Sequence, residues 1–338
     1  MLVALSLDIQ SEGKSILDSS NEVFESVLKR AFDTRISNFG NKLFCYSPTS
    51  YPYQIDDHRI ENPHKFVSLS VTGLSCSLNC DHCQSRLLKG MISSRTPDAM
   101  ISECKFIKKK GGTGVLISGG ADSTGHVPLD RFGDAISLIK KQLGLKVVVH
   151  TGLLDEPTVS MLAEANIDAA MLDVIGSTDV AKRIYHIDDG PKRIRESLVL
   201  LNEHGIPVVP HVLVGLDYGK INGELEALSM LSSFDIAGVV IIALSPIRGT
   251  PMEKAPPPSP NSIARILTIT RLGFPDIPVL LGCARPIGAH KIESDKYAIL
   301  AGVNGIAYIS QEGVDFARTK KLHPVFRDIC CSLAFQSL

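Results

Sequence analysis

The sequence predicts a (β/α)8 TIM-type barrel of the α/β class, with a helical extension before it and a tail after it. From residue 66 onward, eight short β-rich runs alternate with helical stretches, and the chain of 338 residues has room for more than one barrel of roughly 250 residues. Alternating strands and helices favour a parallel sheet with helical crossovers, which closes most simply into a barrel. We therefore expect an N-terminal extension over 1–65, the barrel over 66–312 and a tail over 313–338.

The candidate strands share short length and enrichment in β-branched residues. They are KFVSLSV, GTGVLISGG, LKVVVH, AAMLDVIG, PVVPHVLVGL, GVVIIALSP, IPVLLGC and GIAYIS. The helices between them have apolar residues on one side, as in GPKRIRESLVLLNEHG with Ile194, Leu198 and Leu201. In TPDAMISECKFIKKKG, Thr96 caps the helix and Cys104 falls on its apolar face, which predicts a core position.

The segment before the barrel divides into a helix and a loop. SSNEVFESVLKRAF has a capping serine followed by Val23, Phe24, Val27 and Leu28 at helical spacing. YSPTSYPYQIDDHRIENPHK is rich in turn formers and predicts a loop, and we expect Cys45 to lie in the loop before the barrel.

Composition excludes several classes of function. The formal net charge of −1 gives no general attraction to nucleic acid or anionic lipid. The opening MLVALSLDIQ lacks the features of a signal peptide, and no run of about 20 apolar residues predicts a membrane span. We expect a cytoplasmic protein, in which eight cysteines serve metal binding or catalysis rather than disulfides.

Three of these cysteines lie in CSLNCDHC, directly after the first predicted strand. The spacing of Cys76, Cys80 and Cys83 suits an iron–sulfur cluster at the carboxyl-terminal rim of the barrel. A zinc site is the alternative, but it needs a fourth ligand, and His82 beside Cys83 is poorly placed to complete a tetrahedral set.

This motif resembles the radical SAM superfamily, whose signature is Cys-x3-Cys-x-aromatic-Cys at this place in the fold. The resemblance implies a [4Fe–4S] cluster with an open iron that binds S-adenosylmethionine, and radical chemistry. His82 stands where that family has an aromatic residue, and it could still pack near the adenine.

Other segments match the superfamily in order, each with a simpler alternative. ISGGAD resembles its Gly-Gly-Glu motif through Ser118, Gly119 and Gly120, although Ala121 replaces the acid and an ordinary βα turn would look the same. Asp173 in MLDVIG matches the acid that contacts the ribose, unless it caps a helix. HVLVGLDYG resembles a glycine-rich segment on the adenine side, and LSPIRGTPME is similar to a biotin-synthase pattern, which implies that Leu244 and Pro246 flank the adenine.

Residues 37–310 resemble the biotin-synthase-like branch most. CDHC, GCARP, AGVNGIA and the terminal CC are most similar to two-component lipoyl synthases described mainly in archaea, which insert sulfur into an octanoyl chain on a carrier protein. An auxiliary cluster, the expected sulfur source, has candidate ligands in Cys283, Cys330 and Cys331. Whether Cys45 is also a ligand is left open. Each cysteine alone could instead be a small buried residue. Arg285, on the same rim, could contact that cluster or pair with an acid.

The sequence leaves three functions to compare. The first is a radical SAM sulfurtransferase, served by an electron donor such as ferredoxin or flavodoxin, by a carrier protein bearing octanoyl-lysine and by a second radical SAM subunit. The second is a mutase or cofactor maturase without sulfur insertion. The third is a metal-stabilised binding module without catalysis. Fold alone does not separate them.

Overall fold

The computed structural model describes residues 6–49 and 51–337. The expectation of no signal peptide falls partly on residues 1–5, which lie outside the described residues. None of the described helices combines the length and the apolar character that a membrane crossing requires.

Within the described residues, thirteen strands make up the sheets. They are β1 (Lys42–Tyr46), β2 (Gln54–Ile55), β3 (His58–Arg59), β4 (Phe66–Ser70), β5 (Ile92–Ser93), β6 (Gly114–Ser118), β7 (Lys146–His150), β8 (Ala169–Met171), β9 (His211–Val214), β10 (Val239–Ala243), β11 (Val279–Leu281), β12 (Gly305–Ala307) and β13 (His323–Arg327).

The strands form one parallel barrel apart from the small β2–β3 hairpin. One sheet runs in the order β5-β4-β6-β7-β8 and the other in the order β13-β1-β12-β11-β10-β9. Parallel bridges of Ala170 with Val208 and of Asp173 with His211 join the two sheets between β8 and β9. Across the remaining seam, Thr49 donates its backbone N–H to the carbonyl of Phe66 at 2.9 Å. The eight predicted strands are β4 and β6 to β12, so the predicted barrel is confirmed.

Two barrel strands come from outside the predicted barrel. β1 lies in the N-terminal extension and pairs in parallel with both β12 and β13, and β13 lies in the tail. The expectation that Cys45 lies in a loop is therefore wrong, because Cys45 is the fourth residue of β1. The helical spacing that predicted a helix before the barrel says nothing about the strand KLFCY. The strands that pair with it, β12 and β13, are also distant in the sequence.

In the part of the chain that the structure describes, eleven helices surround the barrel or connect its strands. They are α1 (Ser11–Asp18), α2 (Asn21–Phe39), α3 (Pro97–Lys109), α4 (Gly133–Lys141), α5 (Glu156–Glu164), α6 (Thr178–Val180), α7 (Gly190–Glu203), α8 (Glu224–Leu231), α9 (Pro260–Gly273), α10 (Ala289–Leu300) and α11 (Gln311–Thr319). Shorter helical turns cover Arg86–Gly90, Asp130–Phe132 and Cys331–Gln336 in 3-10 form and Ala181–Tyr185 in π form.

The predicted helix signals are mostly confirmed. Ser20 caps α2 by accepting the N–H of Val23, and Thr96 caps α3 by accepting the N–H of Ala99. Cys104 is fully buried on α3, as expected. Val23 is the exception, because its side chain is exposed although it follows the helical spacing.

Buried side chains form two layers, because successive residues of a strand point to opposite faces. The outer layer lies between the strands and the helices and includes Cys45. The inner layer fills the barrel interior and includes Phe44 and Tyr46 of β1. The tail contributes to the inner layer as well, through Cys330, Cys331, Leu333 and Ala334.

Candidate active site

The cysteine loop follows β4 at the carboxyl-terminal rim. Cys80 is buried, Cys76 and Cys83 are half-buried, and all three are free thiols. A hydrogen bond from the Cys80 thiol lowers the pKa of Cys83, while the same pairing raises the pKa of Cys80. The thiols of Cys80 and Cys83 therefore lie within hydrogen-bonding distance of each other, as ligands of one cofactor can.

The loop is folded tightly by residues in the left-handed region. Asn79, Gln84 and Ser85 have φ values of 49°, 43° and 60°. Within the described residues, no three His, Cys, Asp or Glu side chains form a set for a single metal ion. A four-iron cluster accepts each thiolate on a separate iron, so its ligands lie farther apart than those of one ion. Three free thiols on one compact loop fit such a cluster.

The glycine turn after β6 packs against the cysteine loop. A Cβ on Gly120 would lie 2.5 Å from Cys76 Cβ, and one on Gly119 would lie 2.9 Å from Val71 Cγ2. The N–H of Gly120 donates to Thr72 Oγ1 at 2.7 Å. Both positions therefore exclude a side chain, and at Gly120 the excluding neighbour is the cysteine loop itself.

Ser118 ends β6, one residue before this turn. Its hydroxyl donates to the carbonyl of His150 at 2.9 Å. This bond ties the end of β6 to the end of β7. A ligand role for Ser118, Gly119 and Gly120 stays a prediction.

Asp173 follows β8 and is surrounded by side chains that the sequence did not single out. Its carboxylate accepts a hydrogen bond from Tyr185 Oη at 3.1 Å and lies 3.4 Å from His150 Nε2. Burial alone would raise the pKa of Asp173, but the imidazoles of His150 and His211 lower it below its ordinary value. Asp173 is thus an ionised acceptor at neutral pH, which suits a partner that donates hydrogen bonds, such as ribose hydroxyls.

The two histidines beside Asp173 titrate in opposite directions. Burial would lower the pKa of His150, but Asp173 raises it above its usual value. Burial and the neighbouring His150 lower the pKa of His211 to about 4. His211 is therefore neutral at physiological pH, and its buried Nδ1 has no hydrogen-bond partner in the described part of the chain.

His82 stacks on Tyr185, with ring centroids 4.9 Å apart and an interplanar angle of 24°. Its buried Nδ1 makes no hydrogen bond among residues 6–49 and 51–337, although the ring is close enough to lower the pKa of Cys83. The flat ring thus packs against another aromatic ring, and contact of His82 with a cofactor stays a prediction.

Asp173 lines a narrow cleft. Tyr185, His211, Leu216 and Glu224 are among its lining residues. Burial raises the pKa of Glu224 to about 7, although the N–H groups of Gly215 and Asn222 donate to it. The cleft is lined by Asp173 and by part of the segment that resembles the adenine side, and a role in binding ribose or adenine stays a prediction.

Leu244 and Pro246 follow β10 on the same rim. Leu244 is only 2% exposed, so its side chain has little surface for a ligand, whereas Pro246 is half-buried. Arg86 Nη2 donates to the carbonyl of Gly249 at 3.0 Å, which links this loop to the turn after the cysteines. Contact of either residue with adenine stays a prediction.

The tail brings two further cysteines to the barrel interior. Cys330 and Cys331 are buried, and their charges act on Cys283, which follows β11 and is solvent-accessible. Hydrogen bonds from Cys331 and Ser332 lower the pKa of Cys330 to about 7. The Ser332 hydroxyl lies 3.1 Å from the Cys330 sulfur. The structure thus gathers the three cysteines proposed for an auxiliary site, and their role as ligands stays a prediction.

The two remaining candidates, Arg285 and Cys45, have structural roles. Arg285 forms a buried ion pair with Asp295 of α10 at 2.8 Å and donates to the carbonyl of Gly282. Cys45 packs in the outer layer, on the face of β1 opposite Tyr46, so it points away from the three gathered cysteines.

Comparison with known proteins finds similarity that includes the cysteine loop. Residues 70–222 match the family model described as the Radical SAM superfamily. A biotin synthase from a Bradyrhizobium species is 24% identical over 70% of this chain and 72% of its own length.

Solved structures show the same fold across the whole chain. Methylornithine synthase has a TM-score of 0.66 at 18% identity, with 98% of both chains covered. HydG, a maturase of the [FeFe]-hydrogenase, has a TM-score of 0.66 at 16% identity, with 93% of this chain and 71% of its own covered. At these identities the likeness concerns the fold alone.

Proposed function

We propose, from the membership of residues 70–222 in the radical SAM superfamily, that this chain inserts sulfur at an unactivated C–H carbon. The observation that carries the proposal is the tail, which buries Cys330 and Cys331 in the barrel interior, within electrostatic reach of the exposed Cys283. The cysteine loop opens at the same rim. Carbon activation and a sulfur source would then face one substrate cavity.

Enzymes of this superfamily use a [4Fe–4S] cluster and S-adenosylmethionine. Here Cys76, Cys80 and Cys83 would hold the cluster. When bound, the two cofactors supply a carbon-centred radical that removes a hydrogen atom from a C–H bond.

The chain's own residues bind and orient. Asp173 is held ionised by its imidazole neighbours and accepts hydrogen bonds, and Tyr185 and His150 fix its carboxylate from two sides. Cys283, Cys330 and Cys331 would hold a second, sulfur-bearing cluster across the mouth. The lowered pKa of Cys330 favours the thiolate that metal binding requires.

The mouth is flanked by a surface suited to a protein-borne substrate. Tyr51, Leu74, Leu87 and Ile287 are exposed apolar side chains on the rim loops, and Ile287 is 83% exposed. The loop 72–96 carries Arg86, Lys89 and Arg95 against a single acid, Asp81, in a chain whose net charge is −1. This combination favours an acidic carrier protein.

These features support an octanoyl chain on a carrier protein as the substrate, as in a lipoyl synthase component. We propose as further partners an electron donor such as ferredoxin or flavodoxin and a second radical SAM subunit.

One structural feature favours a second candidate, a mutase or cofactor maturase without sulfur insertion. Leu333 and Ala334 of the tail occupy the barrel interior together with Val148 and Met171. Little depth therefore remains for a long acyl chain, which favours a small substrate.

An anaerobic assay with an octanoyl-lysine peptide and mass spectrometry tests the proposal. The wild-type protein should form a product that contains sulfur. A triple variant, Cys283→Ala, Cys330→Ala and Cys331→Ala, should still form 5′-deoxyadenosine, but without sulfur in the peptide.

Cys104→Ala is the matched control, because Cys104 is equally buried but lies on α3 in the outer layer. It should behave as the wild type. Sulfur insertion by the triple variant would contradict the proposal. Formation of 5′-deoxyadenosine by the wild type without any sulfur product would favour the mutase or maturase.

A further inference from the structure

The segment after α6 contacts the cysteine loop through three successive residues. The contacts are the carbonyl of Ile184 with the N–H of Asp81 at 3.0 Å, the carbonyl of Tyr185 with the Cys80 thiol at 4.0 Å, and Nδ1 of His186 with the carbonyl of Leu78 at 2.7 Å. In addition, His186 Nε2 lies 3.4 Å from Asp81 Oδ1. A segment about 100 residues away in the sequence thus follows the loop between its first and third cysteines.

The backbone of this segment is unusual. Ala181–Tyr185 form a π-helical turn, a rare conformation that is frequent at functional sites. His186 ends the turn in the left-handed region with φ of 59°, and its N–H donates to the carbonyl of Ala181. A residue other than glycine is uncommon at such a φ value. The wide turn leaves the carbonyl of Ile184 free to accept from the N–H of Asp81 in the loop.

The same segment also contacts Asp173. Tyr185 Oη donates to Asp173 Oδ2 at 3.1 Å, and the Tyr185 ring stacks on His82. Tyr185 is only 8% exposed, so its ring is confined by packing. Tyr185 therefore touches the cysteine loop through its ring and Asp173 through its hydroxyl.

We infer that residues 184–186 form a clasp that fixes the cysteine loop relative to Asp173, with Tyr185 and His186 as positioning residues for the cluster and S-adenosylmethionine. The inference rests on the proposed roles of the three loop cysteines and Asp173, and it is independent of sulfur insertion. The clasp would keep the cluster at a fixed position relative to Asp173.

The first test follows iron release from the anaerobically reconstituted full-length protein to a chelator. His186→Ala removes the bond to Leu78, so iron release should be about 10-fold faster. His186→Asn tolerates the left-handed backbone and restores a donor group, so it should recover part of the stability of the cluster. His204→Ala is the control, because His204 also pairs with a carboxylate, that of Glu156 at 2.7 Å, but lies at the end of α7. Equal release rates for His186→Ala and the wild type would overturn the role of His186.

The second test separates the hydroxyl of Tyr185 from its ring. Tyr185→Phe keeps the stack on His82 and loses the bond to Asp173, so the dissociation constant of S-adenosylmethionine should rise about 10-fold with iron unchanged. Tyr185→Leu loses both contacts, so iron release should accelerate as well. The change in the electron paramagnetic resonance spectrum of the reduced cluster on adding S-adenosylmethionine should weaken in both variants.

Unchanged binding and spectra in both Tyr185 variants would overturn the clasp. Failure of the proposed function looks different: the wild type and the variants would differ as predicted in iron release and cofactor binding, but no peptide product would contain sulfur.

Discussion

At the scale of single residues, Asp173 is the position whose surroundings most clearly define a chemical role. Asp173→Asn should raise the dissociation constant of S-adenosylmethionine about 10- to 100-fold, because a hydrogen bond to a charged group is worth about 1.5–3 kcal/mol. Iron content should stay unchanged. Asp188→Asn is the control, since Asp188 lies later in the connection between β8 and α7, is exposed and pairs with Lys182. Equal binding by both variants would remove Asp173 from the cofactor site.

Also at this scale, buried Glu224 makes stability depend on pH. Burial raises its pKa from the ordinary 4.5 to about 7, so the folded state binds a proton that the unfolded state has released. The free energy of unfolding should therefore fall as pH rises from about 4.5 to 7, by up to about 3 kcal/mol. Glu224→Gln should lose this dependence in denaturant titrations at several pH values. If the free energy of unfolding depended on pH equally in the wild type and in Glu224→Gln, Glu224 would not be a buried, protonated carboxyl.

At the scale of elements, the β2–β3 hairpin holds the tail in place. His58 Nε2 lies 2.8 Å from Asp328 Oδ1, its ring stacks on Phe326 at 4.6 Å, and Ser47 also donates to Asp328. His58→Ala should loosen the segment before Cys330. A thiol reagent should then label Cys330 and Cys331 several-fold faster in the apoprotein. His64→Ala, which loses only a ring contact with Phe106, should not change labelling. Unchanged labelling of His58→Ala would show that the hairpin does not retain the tail.

Which elements the sequence could predict depends on whether their signals are local. The strands β4 and β6 to β12 and the cap at Thr96 follow from alternation and capping chemistry within short windows. β1 could not be recognised in this way, because its partners are β12 and β13 at the other end of the chain. The π-helical turn that ends at Tyr185 has no periodic pattern, so the contacts of Tyr185 with Asp173 and His82 appear only in three dimensions.

For the whole molecule, parts of the segments before and after the predicted barrel belong to the barrel itself. β1 and β13 complete the sheet, and the last helical turn, Cys331–Gln336, enters the interior. The spacing of Cys76, Cys80 and Cys83 predicted one cofactor site from local sequence. That Cys283 and Cys330 lie near each other could be expected only because the tail is long enough to return to the barrel mouth. Neither of the local sequences, CARP around Cys283 and ICCS around Cys330, indicates that it lies near the other.

Removal of the tail after Ile329 tests this integration of the whole molecule. Leu333 is 2% exposed, and loss of one such buried leucine alone costs about 2–5 kcal/mol. The truncated chain should therefore melt at a lower temperature and bind a hydrophobic dye in its opened interior. After reconstitution it should keep about four irons, because the three loop cysteines are intact, whereas the full chain should bind about eight. Leu333→Ala is the companion variant: it should lower the melting temperature and keep the iron of the full chain. If truncation left both the melting temperature and the iron content unchanged, the tail would be neither part of the core nor a source of ligands.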